Sequence, residues 1–177
     1  LSINLTKASS ICLVIGHLQS FDATSQDTIM STFSSIETII SEPQLMEMEK
    51  KLQVSFPKDY KNFLLKHNVA TPEEQYMSIL IEELNEPVLF GVMLGFSDNE
   101  NFCLVDWNLE YRDELPEHSL IFATEYGGGL FVMIVEGEDQ GIYFWDHSFI
   151  FEQSSEDSNV YFLAASFTDF ISKLSIV

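Results

Sequence analysis

The spacing of apolar residues changes partway along the chain. Before about Ser78 they recur every three or four positions, and after it they fall in short runs and alternations. Ile29, Phe33, Ile36 and Ile40 are spaced to share one helical face. Ser41-Glu-Pro-Gln44 reads as a helix entrance. Ser41 is the cap, Pro43 sits in the first turn where its missing N–H costs nothing, and Gln44 closes a capping box. Leu45, Met48 and Leu52 then line one side, until Gln53-Val-Ser-Phe-Pro57 breaks the pattern. A second helix is predicted from Lys58 to His67, with Tyr60, Phe63, Leu64 and His67 on one side. Asn68 suits a left-handed C-cap, and Pro72 prevents re-entry.

From Ser78 onward, Ile79–Ile81, Val88–Leu94, Phe102–Asp106, Leu120–Ala123, Leu130–Val135, Ile142–Trp145 and Val160–Leu163 read as strands punctuated by Gly, Asn, Asp and Pro. Gly137-Glu-Asp-Gln-Gly141 is a hairpin loop between two of them. Leu130–Val135 is apolar at every position, as a central strand covered on both faces requires. Ser166 caps a closing helix, with Asp169 at its N3 position and Phe167, Phe170, Ile171 and Leu174 at helical spacing. Helices, then strands, then a helix predict an α+β fold. The expected architecture is a mostly antiparallel sheet of about six strands, with N-terminal helices and a C-terminal helix packed on it.

The 177 residues suffice for one domain with a full core plus an extension. Residues 1–29 show weak periodicity and no clear cap, and Met30 resembles a translation start. They are read as a leader or upstream extension, with a single domain over residues 30–177. A composition 46% hydrophobic and 13% aromatic is globular. No apolar run approaches the ~20 residues of a membrane span, and no signal-peptide core precedes residue 30. A soluble, cytoplasmic protein is expected. Cys103 is read as a small buried hydrophobe in a strand, and two cysteines make no disulfide framework.

Charge narrows the functions further. Twenty-eight acids against eight Lys and Arg give a net charge of -20. That surface repels phosphate backbones, which argues against direct nucleic-acid binding. It serves solubility, or it steers in a basic protein partner.

The Gly triplet in Thr124-Glu-Tyr-Gly-Gly-Gly-Leu-Phe131 poses the one question of phosphate chemistry. A phosphate loop needs a helix after its glycines and usually a Lys. Here a strand is predicted to follow, Glu125 precedes, and no Lys or Arg lies between Arg112 and Lys173. A sharp turn, or a site where a partner touches bare backbone, fits better. His17, His67, His118 and His147 are scattered. His67 reads as packed and His118 as solvated. Asp146-His147 reads as a strand-end turn, because no Ser or Cys nucleophile completes a triad. Ser97-Asp-Asn-Glu-Asn101 lacks the spacing and central Gly of a calcium loop. No cofactor or metal is expected.

Several segments, in this order, resemble one family: the helix Pro43–Leu52, then Phe56-Pro-Lys-Asp-Tyr-Lys-Asn-Phe-Leu-Leu-Lys-His-Asn68, the Leu115-Pro116 turn and Ile121-Phe-Ala123. Tyr126-Gly-Gly-Gly129, Gly141-Ile-Tyr-Phe-Trp-Asp-His147 and Ala165-Ser-Phe-Thr-Asp-Phe170 complete the set. Over about residues 33–175 the chain resembles the SUKH superfamily, which joins yeast cell-wall-synthesis regulators to bacterial immunity proteins. It departs where Val69, not the usual Gly, follows Asn68. The resemblance implies a non-catalytic binding protein. Bacterial members neutralise toxins, often nucleases, by direct binding, and eukaryotic members act as regulatory interaction proteins. A basic partner such as a secreted toxin domain is therefore expected, with an endogenous protein partner as the alternative. The candidate contact residues are chosen on physical grounds. Tyr126, Gly127, Gly128 and Gly129 would lie near Trp145, Asp146 and His147 if their strands pair through the Gly137–Gly141 hairpin. Asp98, Glu100, Glu138 and Asp139 are loop acids suited to meeting Lys or Arg.

Overall fold

The computed structural model describes residues 32–73 and 76–177. The leader expected over residues 1–29 lies outside the described residues. Helix α1 spans Glu42–Leu52. At its entrance the Ser41 N–H and hydroxyl both donate to the Gln44 side-chain oxygen, at 2.9 and 2.8 Å. Gln53 closes it in the left-handed conformation, its N–H on the Glu49 carbonyl. Helix α2 spans Lys58–His67 and buries Tyr60, Phe63, Leu64 and His67, the side that the sequence spacing marks.

The six longer strands are β3 (Met77–Ile81), β4 (Glu86–Met93), β5 (Ser119–Glu125), β6 (Leu130–Ile134), β7 (Gly141–Trp145) and β8 (Val160–Ala164). Three short ones extend the sheet: β1 (Phe33–Ser35), β2 (Ala70–Pro72) and β9 (Ser175–Ile176). The order is β1-β2-β4-β5-β6-β7-β8, every pair antiparallel, with β3 on the first half of β4 and β9 on β3. The fold is therefore α+β on an antiparallel sheet. The sheet curls until β8 approaches β3. β6, between β5 and β7, is buried at all five positions.

Helix α4 (Phe167–Lys173) closes the core. The Ser166 hydroxyl accepts the Asp169 N–H at 3.1 Å, and Asp169 in turn accepts the Ala165 N–H. Phe170 sets its ring 5.3 Å from Phe122 and 5.5 Å from Phe131. Phe167 meets Tyr60 and Phe63 of α2 at 5.1 and 5.3 Å. Such ring pairs add about 0.5–1.5 kcal/mol each beyond their burial. Asp59 of α2 accepts the N–H and hydroxyl of Thr168, which fixes α2 against the N-terminus of α4.

Two elements depart from the sequence reading. Phe33–Ser35 is strand β1, not part of a helix from Ile29 to Ile40. Phe33 is buried against Phe63 and Phe90, and Ile40 is buried too, but Ile36 between them is exposed, so these positions do not share one buried helical face. Pairing with β2 wins over the spacing. Phe102–Asp106 is not a strand: helix α3 spans Leu104–Glu110, with Cys103 half-buried as its N-cap. A run of four apolar residues does not separate the two states by itself. The determining residue is Asn108. Its amide donates to the Ile121 carbonyl and accepts the Ile121 N–H, both at 2.8 Å. A side chain of α3 thus does for β5 what a neighbouring strand would do, where β4 has already ended.

Asn68 takes φ 55 but ψ -120, a tighter turn than a left-handed cap. Its side chain donates to the carbonyls of Thr38 and Phe96 and accepts the Phe96 N–H. The departure at Val69 is accommodated because Asn68 itself bears the positive φ, while Val69 is fully buried. Among the described residues no helix is long and apolar enough to cross a membrane.

Candidate partner-binding surface

The glycine triplet joins two strands. Residues 126–129 turn from β5 into β6, with the Glu125 N–H on the Gly129 carbonyl. The N–H groups of Gly127 and Gly129 point at an anion, and that anion is the Glu125 carboxylate. The turn is thus filled from within and offers no phosphate cradle. Gly128 adopts φ +103. A Cβ on Gly129 would stand 2.1 Å from Cζ of Phe144, so only glycine lets that core ring close the turn.

Leu130 pairs with Trp145, which brings the glycine turn beside the segment leaving β7. The Ser148 hydroxyl donates to the Gly128 carbonyl at 3.3 Å. Of the residues expected here, Trp145 and Asp146 are almost wholly buried and offer a partner no contact area. Asp146 organises the loop instead. Its carboxylate accepts the N–H groups of Ile150 and Phe151, at 2.8 and 3.0 Å, and the Ser154 hydroxyl. That leaves Tyr161 as the donor to Ser154 at 2.9 Å. Burial, with Asp146 and Glu83 adding charge, raises the Tyr161 pKa against the lowering by Ser154. His147 is half-buried, its ring 4.8 Å from Trp145 and 5.0 Å from Tyr111. The Asp146 carboxylate thus serves a turn while His147 packs on aromatic rings, an arrangement unlike an acid–base pair.

This loop forces Phe149 to φ 53, a backbone conformation that bulky residues rarely adopt. Phe149 and Ile150 end 40% and 46% exposed. Ile150 lies over the turn, since a Cβ on Gly127 would be 3.2 Å from its Cδ1. On the other flank Tyr126, 59% exposed, meets the 62% exposed Tyr76 edge-on at 5.7 Å. The Val177 N–H donates to the Tyr76 carbonyl. Sequence reasoning missed Tyr76, Phe149 and Ile150. The run Phe149-Ile-Phe151 looks like core, and only the Asp146 hydrogen bonds turn its first two residues outward.

The loop acids do not join this corner. Glu138 and Asp139 sit in the β6–β7 hairpin loop at the opposite end of those strands. Asp98 and Glu100 are exposed in the turn after β4, which runs away from the glycine turn. The charge distribution is polarised all the same. Five lysines lie on α1 and α2, whereas from residue 68 onward three-quarters of the 28 acids face only two bases, Arg112 and Lys173. Lys173 is held by the Leu163 carbonyl and Asp169. Arg112 lines a separate groove of about 470 Å³ with Lys51 and His118. Among the described residues no three His, Cys, Asp or Glu side chains converge as metal ligands would. Burial above all raises the Cys103 pKa, with the Asp106 carboxylate adding to it against a lowering by the backbone N–H groups of Asp106 and Val105, so the thiol is a poor nucleophile.

The model of the SMI1/KNR4 family (SUKH-1) matches residues 39–173 of the chain. The chain is similar to an SPbeta prophage-derived uncharacterized protein, YokK, of Bacillus subtilis (strain 168). The two are 26% identical over 151 residues, covering 77% of this chain and 76% of that one. No solved structure shows a significant match.

Proposed function

Since the chain belongs to the SMI1/KNR4 (SUKH-1) family, we propose that it is a non-catalytic immunity protein that neutralises a cognate, nuclease-type toxin by covering its active surface. The observation that carries this reading is the polarised charge. Residues 68–177, with two bases against three-quarters of the 28 acids, are complementary to the basic groove with which a nuclease holds its substrate. Binding there excludes nucleic acid without any chemistry by the immunity protein. The Tyr126–Gly129 turn and the adjoining His147 lie in that segment and belong to the contact surface. The family and a prophage-derived relative fit a protein that guards against a mobile or secreted weapon.

The test is co-expression with a panel of nuclease-type toxin domains, read as growth rescue, followed by association kinetics of the rescued pair at low and high salt. Rescue is expected for one cognate toxin, with an association rate that falls about tenfold or more between low and physiological ionic strength. A complex whose association ignores salt, or rescue by no toxin in the panel, overturns the reading.

A further inference from the structure

We infer that Tyr76, Tyr126, Phe149 and Ile150 form a preformed anchor for an Arg-bearing surface of a folded protein. The inference rests on the immunity reading for its setting, and it assigns the contact that holds the partner.

Three observations converge on this corner. The side chains gather round one turn: Tyr76 meets Tyr126, Ile150 lies over the glycine turn that follows Tyr126, and Phe149 precedes Ile150 in the same loop. All four are at least 40% exposed, in a molecule whose other large aromatics are mostly buried. Their display is enforced. Asp146 holds the Phe149–Ile150 loop with buried hydrogen bonds, and Glu125 fills the glycine turn under Tyr126. The positive φ at Phe149 goes with the loop that the buried Asp146 holds. Little ordering entropy is then left to lose on binding.

Charge selects the occupant. The segments that build the anchor, 76–89, 125–129 and 146–157, contain no Lys or Arg; they carry Glu152, Glu156 and Asp157 after the Phe149–Phe151 run and Glu82, Glu83 and Glu86 at the tip of the β3–β4 hairpin. Anionic lipid and nucleic acid are repelled. An Arg guanidinium stacks on Tyr or Phe faces while neighbouring carboxylates take its N–H groups. The acids set the rate of encounter and the aromatic anchor sets residence.

The probe is an Arg-rich decapeptide with equal-length Lys-rich and Glu-rich peptides beside it. Each is titrated into the isotopically labelled full chain at about 0.15 M salt, where long-range attraction is largely screened. Amide shifts are expected to concentrate at Tyr76, Tyr126–Gly129 and Ser148–Ile150, strongest with the Arg peptide and absent with the Glu peptide. Tyr126→Ala with Ile150→Ala should weaken the Arg peptide about tenfold. Tyr126→Phe should hold it within about twofold, because the ring face remains. Shifts that instead follow acid density, at Glu110–Glu117 and Glu136–Asp139, would overturn the anchor, as would a double variant that melts normally and binds unchanged. The two readings fail separately. A toxin panel without rescue beside a peptide map on the anchor defeats the immunity reading alone. Rescue with shifts elsewhere defeats the anchor alone.

Discussion

Tyr60 offers a test in which a substitution stabilises the protein. The side chain is completely buried, its ring 5.5 Å from Phe56, 6.0 Å from Phe122 and 5.1 Å from Phe167. Its hydroxyl has no hydrogen-bond partner among the described residues. An unsatisfied buried hydroxyl costs about 1–3 kcal/mol. Tyr60→Phe keeps the ring and removes that cost, so stability should rise by about 1 kcal/mol or more, or about 2–4 °C in Tm per kcal/mol at this size. Burial also drives the Tyr60 pKa far above its ordinary 10.0. The unfolded phenol ionises near the ordinary value while the folded one stays neutral. The native state therefore keeps its full advantage below pH ~10 and loses it as pH rises further, by up to ~1.4 kcal/mol per pH unit. Phe does not ionise, so the gap between variant and parent should widen in alkali. Urea denaturation of both proteins at neutral pH and at about pH 10.5 measures both effects. Tyr111 and Tyr161, also raised by burial, are common to both proteins and cancel. A variant less stable than the parent by more than about 1 kcal/mol, or a gap indifferent to pH, would refute the reasoning.

Gly129→Ala should destabilise by about 1–3 kcal/mol, because its Cβ meets the Phe144 ring; an unchanged urea midpoint would show that the ring moves aside freely. Asp146→Ala strands the Ile150 and Phe151 N–H groups and should cost about 3 kcal/mol or more, with hydrogen exchange accelerating first at those two amides. Asn68→Ala removes three hydrogen bonds at a positive φ. A loss of about 2–4 kcal/mol is expected in thermal melts, and none if the Phe96 loop has other support.

Much of the fold was legible because local chemistry and tertiary packing agree. The Ser41 entrance and the bounds of α2 follow from the helix signals in the sequence, and the β6–β7 hairpin from its glycines. What escaped was decided at a distance. Whether Leu104–Glu110 is helix depends on Asn108 meeting Ile121, and whether Phe33 is strand depends on Pro72. The candidate corner was half legible. Hairpin pairing placed Tyr126–Gly129 beside Trp145–His147, but strand alternation does not reveal that Trp145 and Asp146 are covered. Nor does it reveal that the Asp146 carboxylate takes the Ile150 and Phe151 N–H groups in a loop that leaves Phe149 exposed. Tyr76 comes to the same corner through the β3–β4–β5 register, which sets Met77 opposite Phe90 and Phe90 opposite Glu125.

The bond from Val177 to Tyr76 has a practical corollary for anyone attaching an affinity handle or fluorophore. Residues 175–177 run beside Tyr76 at the edge of the aromatic corner, and a label attached there would crowd it. The β6–β7 loop takes a label at the far end of the strands, at the exposed Gln140 and not at Gly137, whose φ of +101 strains any side chain. Capture through a label beside Tyr76 would lose binding signal that a label at Gln140 retains.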